Sequence, residues 1–295
     1  MNDANSLDAL FRDAAAAIDS GDVAQVERLT SEHPRLVRER LKSPGAWLRD
    51  KVGGALDGFF KKPYLLWFVA EDPVRNDTLP PNIAQVAASI IDAARRERAD
   101  TLQEQLDYAL LLVAWSWVAD RCGVQLQLID VLVDAGASAD GAPDSALVNG
   151  HTAAAEHLVR RGARLTLATA LCIGRWQDVP TLAENASQRD KQFALTLAAL
   201  NGNADALVRL IPFGVDLSAP SKDLYSHATP LHHAVSSGSL DAVRVLVEAG
   251  AKLGAKDKVY RATPLGWAEH NVGEARTYDP PRFYAEIAEF LRGKG

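Results

Sequence analysis

Cysteine and long apolar runs are both scarce in this chain, and each scarcity excludes a class of protein. Two cysteines among 295 residues are too few for a disulfide-stapled secreted scaffold or a multi-cysteine zinc site. The longest nearly apolar run, Ala109 to Ala119, is shorter than the roughly 20 residues that a membrane-spanning helix needs. We therefore interpret this run as a buried helix and expect no membrane segment.

Basic charge is also in deficit. The chain has 32 Lys and Arg against 38 Asp and Glu, a net charge of −6, which argues against a globally basic nucleic-acid-binding protein. The hydrophobic fraction of 47% and the charged fraction of 24% are ordinary for a folded protein. The first residues lack the basic and apolar regions of a secretory signal, so we expect a cytoplasmic protein.

An internal repeat is the strongest pattern in the sequence. When the segments ending at Gly214 and Gly250 are aligned, Gly202 falls on Gly238. Between these glycines, apolar residues recur at steps of three and four, which places them on one face of a helix. A glycine between two short helices allows a tight reversal, and a glycine after a helix can end it. The pattern predicts a unit of helix, tight turn, helix, glycine stop and loop.

Small polar residues stand where the second helix of several units should begin. They are Asp22, Asp178, Asn203 and Ser239. Their short side chains can accept a hydrogen bond from a backbone N–H in the first helical turn, so we predict that all four are N-caps.

Two Thr-Pro-Leu openings, at Thr229 and Thr263, precede predicted helices, and Gly250 is followed by alanine. Threonine suits the N-cap, and proline suits the first helical position because its missing N–H costs nothing there. These residues resemble the ankyrin repeat, a motif of about 33 residues with a β-turn finger and two antiparallel helices. The resemblance implies an all-α solenoid and a structural His232 that ties neighbouring fingers together through backbone hydrogen bonds.

Laid along the chain, the unit predicts about eight stacked helix pairs with an irregular N-terminal half. We assign residues 1–100 to divergent ankyrin-like repeats with an irregular insertion, and residues 101–295 to an array closed by a capping repeat. Residues 64–70 are expected to form a helix. Residues 72–82 are expected to swell an inner turn, and the last unit carries an insertion from Asn271 to Pro281.

Two loops carry the best functional signal, and we name them the first finger loop (residues 215–228) and the second finger loop (residues 251–262). They are rich in Tyr, Lys and Arg, and Tyr and Arg are favoured at protein interfaces. We predict a non-enzymatic scaffold that binds another protein, identity unknown, through its concave face and these loops; an ordinary solvated loop pair would have the same composition. The predicted partner-binding residues are Lys222, Tyr225, His227, His233, Ser236, Ser237, Lys258, Tyr260, Arg261 and Trp267.

Two other functions stay open. The unusual segment within residues 34–120 could hold a catalytic or small-molecule pocket. The basic stretch from Arg35 to Lys62 could contact nucleic acid or anionic lipid, or form the solvated outside of a helix. The sequence contains no phosphate-binding glycine loop and no helical metal-ligand spacing. We therefore predict no catalytic residues, no cofactor, no metal, no membrane contact and a monomeric chain.

Overall fold

The computed structural model describes residues 6–273 and 282–295, and every regular element within them is a helix. The all-α prediction is confirmed to that extent. The chain forms two compact units, Met1–Arg164 and Leu165–Gly295. The boundary predicted at residue 100 separates irregular from regular repeats and stays a prediction.

The first unit contains ten α-helices and two 3₁₀-helices within its described residues. The α-helices are α1 (Leu7–Ser20), α2 (Val23–Glu32), α3 (Arg35–Arg38), α4 (Ala46–Val52), α5 (Ile83–Arg96), α6 (Leu102–Trp115), α7 (Trp117–Arg121), α8 (Gln125–Asp134), α9 (Ala142–Val148) and α10 (Thr152–Arg160). The 3₁₀-helices are Gly53–Asp57 and Leu65–Ala70.

Helices of the first unit pack in two layers. One layer consists of α2, α5, α8 and α10, each in contact with the next. The other consists of α1, the 3₁₀-helix Leu65–Ala70, α6 and α9, again in sequential contact. Each helix pair therefore covers the apolar face of its neighbour, as a stacked repeat requires.

The helix predicted over residues 64–70 is a 3₁₀-helix instead of an α-helix. All six residues of Leu65–Ala70 are buried, so this segment is enclosed by the helices around it. Glu71 follows with φ 50°, outside the right-handed helical region, and this prevents a longer α-helix. The segment still occupies the place of a first helix in its layer.

The second unit continues the pattern with eight α-helices in its described residues. They are α11 (Leu167–Cys172), α12 (Val179–Asn185), α13 (Gln188–Leu200), α14 (Ala204–Leu210), α15 (Pro230–Ser237), α16 (Leu240–Glu248), α17 (Pro264–Gly273) and α18 (Tyr284–Lys294). A 3₁₀-helix, Ile211–Phe213, extends α14. The insertion predicted from Asn271 to Pro281 falls mostly on residues 274–281, which lie outside the described residues, and the count of about eight pairs stays a prediction.

First helices of successive pairs also pack in a row in the second unit. Helix α13 lies between α11 and α15, and α15 lies between α13 and α17. The second helices follow the same order, with α14 on α16 and α16 on α18. The finger loops connect these pairs, so the packing of α13, α15 and α17 determines where the loops project.

Three of the four predicted N-caps are present. The side chains of Asp22, Asn203 and Ser239 accept hydrogen bonds from backbone N–H groups at distances of 2.9, 3.0 and 3.2 Å. Asp178 precedes α12 but makes no capping bond. Its carboxylate instead accepts from Arg175 at 2.9 Å. The backbone of Asp178 is already right-handed helical, with φ −88° and ψ −20°, whereas a capping residue has non-helical angles.

The glycine turn between α13 and α14 lies directly against the next turn of the array. Gly202 has φ 62°, and a Cβ added there would lie 2.7 Å from Cβ of Ser239 and 2.8 Å from Oγ of Ser237. A side chain at this position would therefore strain the backbone and also separate two neighbouring repeats.

We predict that Gly202→Ala lowers the free energy of unfolding by about 2–3 kcal/mol, because it adds a steric collision to the cost of a left-handed alanine. Gly214→Ala is the matched control, since Gly214 has φ 76° and its Cβ would meet no described atom within 4 Å. The control should lose only about 1 kcal/mol. Urea denaturation of both variants measures the difference, and equal losses would contradict the close approach of the two turns.

Candidate functional site

The two finger loops lie side by side and are joined by hydrogen bonds. The backbone N–H of Lys258 donates to the carbonyl of His227 over 2.8 Å, and its Nζ donates to the carbonyl of Ser226 over 2.9 Å. At the base of the loops, the N–H of Lys252 donates to Oγ of Ser218 over 3.3 Å. These bonds hold the second finger loop against the first.

A buried carboxylate fixes the second finger loop from inside. Asp257 is 1% exposed, and its Oδ1 accepts the N–H groups of Val259 and Tyr260 over 2.8 and 2.6 Å. Its Oδ2 accepts the N–H of Ala262 over 3.0 Å and the indole N–H of Trp267 over 3.1 Å. The loop therefore wraps around one side chain and is also anchored to α17.

The charge of Asp257 is stabilised by these donors. Burial alone would raise the pKa of Asp257, but the N–H groups of Tyr260, Trp267, Ala262 and Val259 outweigh burial and lower the pKa to about 2. The carboxylate is ionised at neutral pH, where charge-assisted hydrogen bonds are the stronger kind.

His232 ties the fold beneath the second finger loop. Its ring is fully buried, its Nδ1 accepts from the N–H of Thr229 over 3.3 Å, and its Nε2 lies 3.1 Å from the carbonyl of Ala262. Burial lowers the pKa of His232, although the bond to Ala262 acts in the opposite direction. The imidazole thus bonds to backbone groups of two chain segments, as the resemblance to the ankyrin repeat implies.

His233 lies at the centre of a cluster of rings. Its centroid is 5.8 Å from that of Tyr225, 6.1 Å from that of His227 and 6.4 Å from that of Trp267. The residue is 3% exposed and its Nε2 has no hydrogen-bond partner. Burial, reinforced by the neighbouring His227, lowers the pKa of His233 to about 4. His233 therefore supports the surface from below, where a groove-facing ring was expected.

The other predicted partner-binding residues divide by exposure. Tyr260 is 74% exposed and Tyr225 is 47% exposed, so both rings are available at the surface. The remaining exposed predicted residues are Lys222, Lys258 and Arg261, and the half-buried ones are His227, Ser236, Ser237 and Trp267.

Ser236 and Ser237, which were expected to line one groove together, line two different cavities. Ser236 borders a cavity of about 480 Å³ with Tyr260 and Trp267. Ser237 borders another, of about 380 Å³, with Phe283. The two side chains diverge because consecutive residues of a helix lie on different faces.

The cavity of about 480 Å³ lies between the second finger loop and α17, and we name it the Trp267 cavity. Its remaining lining residues are Ala262, Gly266, His270 and Asn271. The ring of Trp267 is held by its bond to Asp257 and by His227, which stacks on it at 6.2 Å. One wall of the cavity is therefore a rigid aromatic face.

Sequence reasoning missed Asp257, Val259 and the α17 residues Gly266, His270 and Asn271. A signal for Asp257 is present, because an aspartate ahead of exposed loop residues commonly accepts backbone N–H groups two or three positions on. The cavity residues carry no such signal, since a shared lining depends on how α17 packs.

Polar groups converge in the segment considered for a catalytic or small-molecule pocket. Glu71 is buried and accepts the N–H groups of Arg75 and Asp77 over 2.7 and 3.0 Å. The guanidinium of Arg75 bonds to Asp19 over 2.8 Å and to the carbonyl of Phe68 over 3.0 Å. This network fastens the loop of residues 71–82 to α1 and has a structural role there.

Asp72, in the same loop, has a raised pKa. Burial, together with the charge of Glu71, raises the pKa of Asp72 to about 6. The pKa of Tyr108 is raised as well, chiefly by burial and also by the charge of Asp72. General acid–base chemistry would need a positioned partner for such a carboxyl.

Several basic side chains of the stretch from Arg35 to Lys62 are paired with acids. The pairs are Arg35–Glu39, Arg38–Glu97 and Arg40–Glu104. Pairing of this kind reduces the positive charge that the stretch can offer to a nucleic acid.

Comparison with known proteins identifies the repeats. A family model for ankyrin repeats, in three copies, matches residues 146–257. The potassium channel GORK of Arabidopsis thaliana is 35% identical over 82 residues, which cover 28% of this chain and 9% of the channel. The chain thus corresponds to a small part of that channel. The matched residues include the first finger loop, α15 and α16, so this part of the chain consists of ankyrin repeats.

The described residues contain neither a membrane-spanning helix nor a metal-binding cluster. In residues 6–273 and 282–295, no helix is both long and apolar enough to cross a membrane. Over the same residues, no group of three or more His, Cys, Asp or Glu side chains is arranged to hold a metal ion.

We predict that the free energy of unfolding falls by about 2 kcal/mol between pH 6.5 and pH 4 because of His233. The pKa of His233 in the fold, about 4, lies below its ordinary value of 6.5, so the unfolded chain binds more protons in this range. Stability contributed by the neutral ring is present above pH 6.5 and is lost as the pH falls.

His233→Phe should remove that part of the pH dependence while it keeps a ring in the cluster. Urea denaturation at half-unit pH steps measures both chains. Parallel curves for the native chain and the variant would contradict the buried, neutral state of His233.

Proposed function

We propose that this protein is a non-enzymatic scaffold that binds a partner protein through the finger loops and concave face of its second unit. The observation that carries the proposal is the second finger loop, which is fixed by four bonds to Asp257 while Val259 and Tyr260 are 60% and 74% exposed. A loop that is held rigid and still presents large apolar groups has the composition of an interface.

The physical reason concerns the cost of binding. Ordering a mobile loop upon association consumes free energy, whereas a loop already held in place avoids that cost. Tyrosine adds a large contact area with a polar tip, and such residues dominate interface energetics. The bonds between Lys258 and the first finger loop extend the preformed surface to Tyr225.

The family supports the same function, since ankyrin repeats generally mediate protein–protein interaction and are typically non-enzymatic. Fold alone does not name a partner, because one architecture serves many roles. The similarity to the potassium channel GORK covers only 9% of the channel, so we do not propose a channel activity for this chain.

The enzyme or small-molecule hypothesis for residues 34–120 has no comparable observation in its favour. The polar groups around Glu71 and Arg75 bond to one another and to the backbone in ways that hold the 71–82 loop. The cytoplasmic location and the monomeric state stay predictions.

We predict that Tyr225→Ala combined with Tyr260→Ala abolishes most partner capture and leaves the melting temperature within about 2 °C, since Tyr260 is 74% exposed and Tyr225 is 47% exposed. Affinity purification from the native cell with the full chain as bait, followed by quantitative mass spectrometry, measures the loss.

The control combines Leu126→Ala with Val208→Ala, which removes two exposed apolar side chains away from the finger loops. It should retain every partner. Unchanged capture by the double tyrosine variant would reject the finger-loop surface as the binding site.

A further inference from the structure

The exposed tips of the finger loops carry a concentrated positive charge. Lys222 in the first loop and Lys256, Lys258 and Arg261 in the second are all exposed. The chain as a whole is acidic, with a net charge of −6. A cationic patch on an acidic protein is local, and it can attract only ligands of opposite sign to this one place.

The acids of the same loops are already engaged. Asp216 accepts the N–H groups of Ser218 and Ala219 over 2.9 and 3.1 Å. Asp223 accepts from Nε of Arg189 over 2.7 Å, and Asp257 is buried under four donors. Hydrogen bonds do not cancel the charge of these carboxylates, and Asp223 also acts electrostatically on Lys222. The second finger loop nonetheless has four basic residues against Asp257 alone, so it keeps a net positive charge.

The Trp267 cavity is bordered by Tyr260 and Ala262 of the second finger loop, the loop that also carries Lys256, Lys258 and Arg261. Tyr260, whose neighbours in sequence include Arg261, forms part of its wall, and Trp267 and Ala262 add apolar surface. A volume of about 480 Å³ lies in the range of sites that bury an organic group. The cavity can therefore accept a large apolar side chain while charged groups beside that side chain meet the lysines.

We infer that the partner presents an acidic segment with one large apolar residue, which enters the Trp267 cavity while the flanking carboxylates meet Lys256, Lys258 and Arg261. This inference rests on the proposed function and specifies the chemistry of its partner. A nucleic acid could pair its phosphates with the same cations and stack a base on Trp267, but an acidic protein with one local cationic patch lacks the extended basic surface that a nucleic-acid backbone needs.

The test is selection of random 12-residue peptides displayed on phage against the immobilised full chain. Enriched peptides should carry several Asp or Glu residues around a single Phe, Trp, Leu or Met. Synthetic peptides from the selection then serve as probes, and raising NaCl from 50 to 500 mM should weaken their binding about tenfold, because surface charges are screened.

A cavity-filling variant separates the apolar anchor from the charge. Gly266 lies in α17 on the cavity wall, and a Cβ added there makes only ordinary contacts, 3.5 Å from Ala262 and 3.7 Å from Thr263. Gly266→Leu should weaken the selected peptides more than tenfold, while Gly266→Ala, the matched control, should stay within about twofold. Tyr260→Ala removes part of the wall and gives an independent reading if the leucine variant misfolds.

A charge variant tests whether the cations of the second finger loop contribute to peptide binding. Replacement of Lys256, Lys258 and Arg261 by Gln should weaken the peptides about tenfold. The control replaces Lys191, Arg244 and Lys294 by Gln, which changes the net charge equally outside the finger loops, and it should leave affinity unchanged.

Three outcomes would overturn the inference. They are enrichment of basic or uncharged peptides, binding that is indifferent to Gly266→Leu and Tyr260→Ala, and stronger binding of a single-stranded oligonucleotide than of any selected peptide. If no peptide is enriched while the affinity purification still loses partners with the double tyrosine variant, the acidic segment is rejected and protein binding by the finger loops stands.

Discussion

The surface of the second unit that we propose as a binding site depends on the carboxylate of Asp257. A buried charge is costly unless donors surround it, and here three backbone N–H groups and the indole of Trp267 do so. The same bonds place Val259 and Tyr260 outward and join the loop to α17. The desolvation of one side chain is thus offset by bonds that also make a loop rigid. A connection between helices becomes a preformed surface in this way.

Helix packing provides the frame on which that loop stands. In each unit, first helices contact first helices and second helices contact second helices, so no pair has to bury its apolar face alone. Close approach of the turns is part of this packing, because a Cβ added at Gly202 would collide with Ser237 and Ser239. Where the repeat is irregular, as at the 3₁₀-helix Leu65–Ala70, burial on all sides replaces regular geometry, and the Glu71–Arg75 network holds the chain that follows.

Local features of the fold could be predicted from the sequence, whereas features that depend on neighbouring elements could not. The caps at Asn203 and Ser239 follow from residue type and position, because their bonds are made within one turn. Asp178 fails as a cap because its backbone already has the helical conformation, whereas a capping residue is non-helical. The burial of His233 results from packing of the finger loops over α15, which no spacing of residues encodes. Exposure of Tyr260 was expected from its loop composition, but the cavity beside it was not.

Hydrogen exchange of the second finger loop tests the central claim most directly. If Asp257 holds this loop, the amide protons of Val259, Tyr260 and Ala262 should exchange at least about 100-fold more slowly in the native chain than in an unstructured peptide. That protection should fall sharply in the Asp257→Asn variant at the same pH and temperature. Exchange of these three amides at the unstructured rate in the native chain would contradict the account, because the loop would then be ordered only when a partner binds.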